Sequence, residues 1–375
     1  MDIAIITPNY PPTHRGGGEI SVQLLSEQLC KEDGCEVSVY SFDGDRKQTI
    51  NGVNVHRLGN IPQYPYTLSN KIAHRKLNAE GVNCDMLHAY NMHLHPTVGR
   101  LSTEFDLPSV GTLNAYPLFD WAQIGVNPSL RRRLYERTLL RLERPRLKRM
   151  MQSIDVFLPL SSAVKRVYQE RGFQGSSFKI IPNMIDPSFS FPDPGKSLSE
   201  KAKLLYVGYL RNSKGVRFLI DAMQWLSNEY TLKIVGDGPQ RASLQKRVQN
   251  VNLSDRITFS GEVSYKEVTR QYVNTDVFVH PGVWPEPFGR TILEAMQAGL
   301  PVVATDVGGP GETVPQPELL CPPRDPKKLA DSIKYAYEHR DQIGAENERI
   351  VHEKYHPDVV VPQFLETYRE VIEES

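Results

Sequence analysis

Residues 284–299, with the sequence WPEPFGRTILEAMQAG, constrain the fold more than any other stretch of the chain. A loop rich in proline carries Glu286, a Phe-Gly pair turns the backbone, and apolar residues then follow at helical spacing from about Arg290. A helix that begins there directs its first free N–H groups and the positive end of its dipole at the loop, where a phosphate can bind. Glu286 lies just before this helix, and Glu294 lies about one turn into it. Ionised carboxylates only accept hydrogen bonds, so both glutamates suit the hydroxyls of a sugar or a ribose.

The composition limits the classes of protein to which the chain can belong. Its 375 residues predict two domains of ordinary size, and 44 basic residues balance 44 acidic ones, which argues against bulk binding of nucleic acid. No apolar run approaches the ~20 residues that span a membrane. The N-terminus, MDIAIITPNY, shows no signal-peptide pattern, and the four cysteines show no CxxC spacing. We therefore expect a cytoplasmic chain with neither a zinc site nor a disulfide framework.

The N-terminal segment reads as a βαβ unit, which predicts a parallel sheet. Apolar strands at 3–7 and 36–42 flank a helical pattern at 20–31, and a loop rich in proline and glycine joins the first strand to the helix. Gly16 and Gly17 lie in this loop, at the carboxyl end of the first strand, where open α/β sheets bind ligands. The glycine spacing fits neither the dinucleotide fingerprint GxGxxG nor a Walker loop.

The second half of the chain also alternates strands with helices. The predicted strands and helices lie at 204–207, 216–226, 231–235, 257–259, 266–273, 277–280, 327–337 and 358–374. Loops that contain glycine follow the strands, as in GYLRNSKG at 208–215, GDGP at 236–239 and the pair Gly261-Glu262. Residues 300–314, LPVVATDVGGPGETV, read as a buried strand and a glycine-rich loop. This order of elements predicts a second Rossmann-like domain.

The motifs at 284–314, together with a GG-x-E stretch at 16–19 and the Lys-Gly pair that ends GYLRNSKG, resemble the retaining GT-B glycosyltransferases of the family-four class. The resemblance covers nearly the whole chain and is strongest after Gly208. It implies an α/β fold with two Rossmann-like domains that face each other across a cleft. The implied domains are 1–185 for the acceptor and 186–357 for a nucleotide-sugar donor, with a helix at 358–375 that packs back on the first domain. The Pro- and Ser-rich residues 187–203 are the predicted hinge.

The resemblance also implies a reaction and the residues that perform it. A sugar would pass from a nucleotide-diphosphate-sugar to a hydroxyl of a glycan or a lipid-linked acceptor, with retention of anomeric configuration, in the synthesis of glycan, glycolipid or cell-surface polysaccharide. The departing diphosphate would help to deprotonate the acceptor while cations stabilise its charge, without a metal or another cofactor. Glu294 would hold the ribose, Glu286 the donor sugar, and backbone N–H groups near 288–291 the phosphate. The predicted catalytic residues are Glu286, Lys214 and Asn114. The predicted donor-binding residues are Gly16, Gly17, Arg211, Lys214, Gly236, Gly238, Glu262, Glu286, Phe288, Gly289, Arg290, Thr291 and Glu294.

Two positions depart from the family pattern. Asn114 stands where the family often carries a histidine, and an amide can hydrogen-bond but cannot act as a general base. Tyr209 stands where the family usually carries an arginine, which makes Arg211 the candidate for the second cation beside Lys214. These departures leave a non-catalytic nucleotide-sugar-binding protein as one alternative. Another GT-B enzyme, such as a nucleotide-sugar 2-epimerase or a sugar phosphorylase, is the other.

Two patterns invite a metal site, and in both we favour another interpretation. The triplet Asp43-Gly44-Asp45 lacks the surroundings of a metal-binding DxD motif and is interpreted as a polar turn. His88, His93 and His95 follow the end of a predicted strand at spacings of five and two, without an obvious carboxylate partner. We interpret these histidines as part of a loop that faces the cleft.

Residues 129–151 form the most basic stretch of the chain, with nine basic residues against Glu136 and Glu143 and with six leucines between them. A basic amphipathic helix can lie on an anionic membrane, so one hypothesis is a peripheral contact through 130–151 on the inner face of the membrane. The alternative, which we favour from the sequence, is a solvated helix that packs on the first domain and pairs its arginines with these glutamates and water.

Overall fold

The computed structural model describes residues 1–13, 16–90, 93–191 and 201–375. Parts of the predicted glycine loop, of the histidine stretch and of the hinge lie outside these residues. The chain divides into two compact units. Unit 1 comprises residues 1–123, 128–184 and 357–375, and unit 2 comprises residues 124–127 and 185–356.

Unit 1 is built on an eight-stranded sheet with the order β3-β4-β2-β1-β5-β6-β7-β8, in which only β3 and β4 pair antiparallel. Its strands are β1 (Asp2–Ile6), β2 (Glu36–Ser41), β3 (Asp45–Ile50), β4 (Val53–Leu58), β5 (Met86–Tyr90), β6 (Ser109–Leu113), β7 (Val156–Pro159) and β8 (Ser177–Phe178). Its helices are α1 (Gly17–Leu29), α2 (Tyr66–Glu80), α3 (His95–Phe105), α4 (Leu130–Arg137), α5 (Leu139–Met151), α6 (Ser162–Tyr168) and the C-terminal α14 (Pro357–Glu374).

Unit 2 is built on a six-stranded parallel sheet with the order β11-β10-β9-β12-β13-β14. Its strands are β9 (Ala202–Val207), β10 (Tyr230–Val235), β11 (Ile257–Gly261), β12 (Val277–His280), β13 (Val302–Thr305) and β14 (Leu320–Cys321). Its helices are α7 (Val216–Ala222), α8 (Arg241–Asn250), α9 (Tyr265–Val273), α10 (Arg290–Gln297), α11 (Pro310–Thr313), α12 (Pro326–Glu338) and α13 (Arg340–Tyr355). The predicted parallel sheets are confirmed in both units.

The central strands of both sheets are short apolar runs, because parallel strands covered on both faces must bury alternate side chains on each side. In unit 1 the core that contains Ile3, Ile5 and Val39 also contains Val360, Phe364 and other residues of α14. The last helix of the chain therefore completes the core of unit 1, from which the chain departs at residue 184. No helix among the described residues combines the length and the apolar character needed to cross a bilayer.

The interpretation of the three histidines as a loop is wrong for two of them. His88 lies inside β5, is fully buried, and bonds through its ring nitrogens to the Tyr368 hydroxyl of α14 (2.7 Å) and to Thr112 of β6 (2.8 Å). His95 begins α3, and its Nε2 lies 2.9 Å from the Thr112 carbonyl oxygen. The loop interpretation was wrong because a polar residue near a strand end usually indicates a loop. In the folded unit, hydrogen-bond partners from other elements allow the imidazole to be buried.

We expect acid to destabilise unit 1 through His88. Burial, together with the neighbouring His95, lowers the pKa of His88 to about 3, whereas an unfolded histidine titrates near 6.5. Below that pH the unfolded chain binds a proton that the folded unit does not, so stability falls as the pH falls towards 3. At about pH 5 the loss due to His88 should be about 2 kcal/mol relative to neutral pH.

Urea unfolding at about pH 7.5 and about pH 5 measures this loss. With Trp225 and Trp284 changed to Phe, the fluorescence of Trp121 reports on unit 1 alone. The control is His88→Gln, which should be less stable at both pH values but should lose about 2 kcal/mol less between them. Equal losses in the two proteins would contradict the assignment to His88.

Both aspartates of the DxD triplet, Asp43 and Asp45, are part of the folded framework of unit 1. Asp43 is buried, pairs with the equally buried Arg57 at 2.5 Å, and accepts a hydrogen bond from the Tyr10 backbone N–H (2.9 Å). Asp45 opens the edge strand β3, so the predicted polar turn is wrong for this residue. A buried ion pair with further hydrogen bonds is a common way to satisfy a carboxylate that has left water.

The basic stretch at 129–151 is not one helix. Thr138, with φ −114° and ψ −95°, separates α4 from α5. On the inner side of α4, Arg132 is 1 % exposed and donates to Glu136 (2.6 Å), to the Tyr66 hydroxyl (2.6 Å) and to the carbonyls of Pro117 and Phe119. The guanidinium of Arg132 therefore links α4 by hydrogen bonds to Pro117 and Phe119, which follow β6.

Candidate active site

The loop that carries Glu286 is fixed by backbone contacts with a second loop of unit 2. Glu286 forms a parallel bridge with Gly308, and its carbonyl accepts a hydrogen bond of 2.7 Å from the N–H of Gly309. A Cβ atom at Gly308 would lie 2.5 Å from the carbonyl oxygen of Glu286, and one at Gly309 would lie 2.3 Å from that of Pro287. Only glycine allows the two loops to approach this closely, which explains the pair in the sequence.

Lys214 reaches Glu286 because of a tight turn after β9. Residues Asn212–Lys214 form a 3₁₀ turn, and Gly215 follows with a φ of 69°. A Cβ atom at Gly215 would lie 1.8 Å from the carbonyl oxygen of Pro281, so a glycine brings this turn against the loop that follows β12. The Lys214 Nζ lies 2.5 Å from Glu286 Oε1, and both side chains are largely buried.

His280 is the residue of this cluster that the sequence did not reveal. It is the last residue of β12, its side chain is 3 % exposed, and its Nε2 lies 3.2 Å from Glu286 Oε2. No described residue hydrogen-bonds its buried Nδ1. A histidine at the end of a buried strand, six residues before the glutamate, was the only signal in the sequence.

The charges around Glu286 determine its protonation. Burial by itself raises the pKa of this carboxyl, but the ammonium of Lys214 and the ring of His280 lower it well below its usual range. Glu286 is therefore an anion at neutral pH although it is buried. A buried carboxylate that is held by one lysine can accept a hydrogen bond from a ligand hydroxyl without losing its charge.

The helix α10 starts immediately beyond this loop. Gly289, with φ 94°, caps it without a side-chain hydrogen bond, and its carbonyl accepts a hydrogen bond of 2.9 Å from the N–H of Ile292. Thr291 in this first turn is half-buried, and the ring of Phe288 is buried edge-on against Tyr355. The positive end of α10 and the Lys214–Glu286 pair thus flank the same loop.

Arg290 and Glu294 form an ion pair with each other and hydrogen bonds with tyrosines of unit 2. The Nε of Arg290 lies 3.3 Å from Glu294 Oε1, and Glu294 Oε2 accepts a hydrogen bond from the Tyr272 hydroxyl (2.8 Å). Arg290 also donates to the Tyr265 hydroxyl (3.2 Å). Burial raises the pKa of Glu294, although Arg290 and the Tyr272 hydroxyl oppose the shift. Glu294 therefore has fewer lone pairs available for a ligand than the sequence alone suggested.

Arg211 and Tyr209 lie in the turn that carries Lys214. The Tyr209 side chain is 57 % exposed and supplies no charge. The Arg211 guanidinium lies 5.6 Å from the ring centre of Trp284, and no described residue hydrogen-bonds its buried Nε. Packing on the indole holds a second cation near the glutamate loop without an acidic partner among the described residues.

The remaining predicted residues lie in loops that follow other strands or at the start of α1. Gly236 and Gly238 pack against the backbone of residues 208–210, which follow β9, since Cβ atoms there would lie 2.1 Å from the Gly208 oxygen and 2.5 Å from the Leu210 oxygen. Glu262 follows β11 and is exposed. In unit 1, Gly16 caps α1 and Gly17 begins it. Asn114 follows β6, and no described residue hydrogen-bonds its buried Oδ1.

Two family models match the chain and together cover residues 15–354. The model of group 1 glycosyl transferases matches residues 190–354, and the model of glycosyltransferase family 4 matches residues 15–189. The chain belongs to the family-four, group 1 glycosyltransferases. The predicted family and the predicted enzyme class, a hexosyltransferase-type glycosyltransferase, are thereby confirmed.

Relatives and solved structures agree with this assignment. An uncharacterized glycosyltransferase of Methanocaldococcus jannaschii is 27 % identical over 401 residues, which cover 100 % of this chain and 99 % of the relative. The N-acetyl-alpha-D-glucosaminyl L-malate synthase of Bacillus anthracis is 25 % identical, covering 86 % of this chain and 84 % of its own. Sucrose-phosphate synthase of Thermosynechococcus elongatus superposes with a TM-score of 0.84 at 24 % identity, covering all of both chains. Anabaena HepE, solved in complex with UDP, does so with a TM-score of 0.77 at 20 % identity, covering 99 % of this chain and 100 % of its own. The predicted GT-B fold is confirmed.

In this glycosyltransferase, the described residues bring together no group of three His, Cys, Asp or Glu side chains able to hold a metal ion. Unit 2 contains two largely buried charge clusters, Lys214 and Glu286 beside His280, and Arg290 with Glu294.

Proposed function

We propose that this glycosyltransferase moves a hexosyl group from a nucleotide-diphosphate-sugar to an acceptor hydroxyl with retention of anomeric configuration. The observation that carries the proposal is the buried Lys214–Glu286 pair at the start of α10. A diphosphate needs cations and N–H donors, and a sugar needs acceptors for its hydroxyls. In unit 2, Lys214 supplies the cation and Glu286 supplies the acceptor, and the two side chains form one ion pair.

We propose the following roles for the residues. Lys214 and Arg211 stabilise the charge that develops on the diphosphate, together with the first N–H groups of α10. Glu286 accepts from a hydroxyl of the donor sugar, and Glu294 holds the ribose through the lone pairs that Arg290 and Tyr272 leave open. Arg211 supplies the charge that Tyr209 cannot. We propose that the reaction needs no divalent metal, because these groups already supply positive charge.

The names of relatives support the donor and acceptor classes without choosing among them. The name of the mannosyltransferase of Mycobacterium tuberculosis, which is 27 % identical over 227 residues, contains GDP-mannose and a phosphatidylinositol mannoside. Anabaena HepE was solved with UDP. We propose a nucleotide-sugar donor bound by unit 2 and a glycan or lipid-linked acceptor, with Asn114 of unit 1 as an amide that hydrogen-bonds the acceptor or the sugar. We propose a cytoplasmic location for the enzyme.

A panel of UDP-, GDP-, ADP- and dTDP-sugars tests the proposal by thermal shift and by product analysis. A true donor at ~100 times its dissociation constant should add about 2.7 kcal/mol of stability. Turnover with an acceptor should give a glycoside whose anomeric configuration, read from proton coupling constants, is that of the donor, and it should persist in a chelator. A free epimerised sugar nucleotide without acceptor would instead identify a 2-epimerase. Transfer that needs phosphate would identify a phosphorylase, and binding without turnover a non-catalytic protein.

We expect Glu294→Gln to weaken the binding of the nucleotide diphosphate of the donor selected in this panel. The change keeps the volume and the Tyr272 hydrogen bond but removes the charge that faces Arg290. Losing a charged hydrogen-bond acceptor costs about 1.5–3 kcal/mol, which corresponds to an affinity lower by about 10- to 150-fold in titration calorimetry. Glu229→Gln, an exposed glutamate that precedes β10 in the same unit, is the matched control. An unchanged dissociation constant in Glu294→Gln would remove this residue from the site.

A further inference from the structure

The two-helix segment α4–α5 of unit 1 carries a surface that combines arginine and leucine side chains. Six arginines of this segment are exposed: Arg131, Arg133, Arg137, Arg141, Arg146 and Arg149. Four leucines are exposed as well: Leu130 (82 %), Leu134 (64 %), Leu139 (46 %) and Leu142 (78 %). We propose that this arginine–leucine surface docks on an anionic lipid bilayer. The proposal does not depend on which donor or acceptor the enzyme uses.

The two glutamates of the segment bond to groups on its inner side. Glu136 is buried and pairs with Arg132 at 2.6 Å, and it also accepts from the backbone N–H of Trp121. Glu143 accepts from the Tyr135 hydroxyl (2.7 Å) and from the backbone N–H of Thr67. The pairing of arginines with these two glutamates that the sequence favoured is found for Arg132 and Glu136, and this pair is buried instead of solvated. Both carboxylates are directed inward, which leaves the outer surface cationic.

The exposed side chains are arranged in stripes that follow the helical repeat. In α4, Leu130, Arg133, Leu134 and Arg137 are spaced i, i+3, i+4, i+7 and are all exposed, whereas the opposite positions are buried. In α5, the corresponding stripe contains Leu139, Leu142, Arg146 and Arg149. Leucines and arginines therefore alternate along the exposed stripe of α4, and leucines precede arginines along that of α5.

Leucines at this exposure are unusual when they lie together on one segment of a folded unit. A single exposed leucine needs no explanation, but four exposed leucines interspersed with exposed arginines on one short helical segment indicate an interaction surface. The apolar side chains fit the acyl boundary of a bilayer, and arginines fit the phosphates of its headgroups. A soluble polyanion would need the arginines and would leave the leucines in water. The combination therefore favours a bilayer over a polyanion.

Co-sedimentation with vesicles tests the proposal on the full chain. The vesicles are pure phosphatidylcholine or contain about 30 mol % phosphatidylglycerol, at about 50 mM and about 500 mM NaCl. We expect the wild type to sediment only with the anionic vesicles and to be released by salt. Replacing Arg131, Arg137 and Arg141 by Gln, three exposed arginines without an ion pair to any described residue, should weaken binding by about 100-fold. Leu130→Ser with Leu142→Ser should weaken it by at least about tenfold.

Two control variants change matched groups in unit 2. Lys246, Arg270 and Lys328, all exposed, are changed to Gln to remove the same number of charges, and Trp225→Ser with Tyr335→Ser removes exposed aromatic surface. Both controls should bind as the wild type does, and circular dichroism and thermal unfolding establish that every variant is folded.

Three results would overturn the proposal. The first is a wild type that stays in the supernatant with anionic vesicles at low salt. The second is a set of unit 2 controls that lose binding as much as the arginine variant. The third is binding that a soluble polyanion such as heparin removes while the two leucine substitutions have no effect, which would identify a polyanion-binding surface instead.

Discussion

Replacing Lys214 by Met should lower kcat/KM by at least about 100-fold with the donor and acceptor found by screening, which corresponds to about 2.7 kcal/mol or more of lost transition-state stabilisation. Lys214 is the cation closest to Glu286 and lies in the turn against the loop that opens α10. Without Lys214, the negative charge that develops on the departing diphosphate would lose the lysine that we propose to stabilise it. Lys246→Met, an exposed lysine of the same unit, should leave kcat/KM unchanged.

The same substitution should also destabilise unit 2, and this second effect must be separated from the first. Without the ammonium, only His280 opposes the desolvation of Glu286, so burial raises the pKa of the carboxyl. Breaking a buried ion pair by removal of one partner costs about 3–5 kcal/mol. Loss of activity by Lys214→Met alone therefore does not distinguish a catalytic cation from a structural one.

The double variant Lys214→Met with Glu286→Gln makes the distinction. It replaces both charges, so no uncompensated carboxylate remains in the interior, and stability in urea should recover by at least about 2 kcal/mol relative to the single variant. If the pair is catalytic, kcat/KM should stay at least about 100-fold below wild type despite this recovery. Activity that returns together with stability would show that the pair only supports the fold.

Replacing Arg132 by Met should destabilise unit 1 by about 3–5 kcal/mol. The guanidinium is buried, makes four hydrogen bonds, and lies 4.7 Å from the ring centre of Trp121 and 5.5 Å from that of Tyr66. Its removal leaves the carboxylate of Glu136 and two backbone carbonyls buried with fewer donors. Urea unfolding followed by Trp121 fluorescence, in the background without the other tryptophans, measures the loss.

The adjacent Arg131 supplies a matched control. It has the same charge and sits on the same helix, but it is exposed and makes no ion pair with a described residue. Arg131→Met should change the free energy of unfolding by no more than about 0.5 kcal/mol. Similar losses in the two variants would mean that helix propensity or net charge, not the buried network, explains the effect.

The sequence by itself determined the family, the parallel sheets and the glutamate loop, because these depend on local patterns. Alternating apolar runs and glycine loops predicted β12 at its observed bounds. The antiparallel edge pair of β3 and β4 was not predicted, and neither were α2, α3, α8 and α13. The residues of β3 are mostly exposed and charged, so they lack the apolar alternation on which a strand prediction depends.

Only the tertiary structure decided which polar side chains form ion pairs or hydrogen bonds with other residues of the protein. His280 and Glu286 are six positions apart in the sequence and Lys214 is 66 positions earlier, and only the packing of two loops brings them within 3.2 Å. The same holds for Glu294, which the sequence offered to a ligand and the fold pairs with Arg290, and for Glu136 and Glu143, which turn inward and leave a cationic surface outside. Sequence patterns record which residues can carry charge. The partners that satisfy each charge are set by long-range packing, because a buried polar group is stable only where the fold supplies its complement.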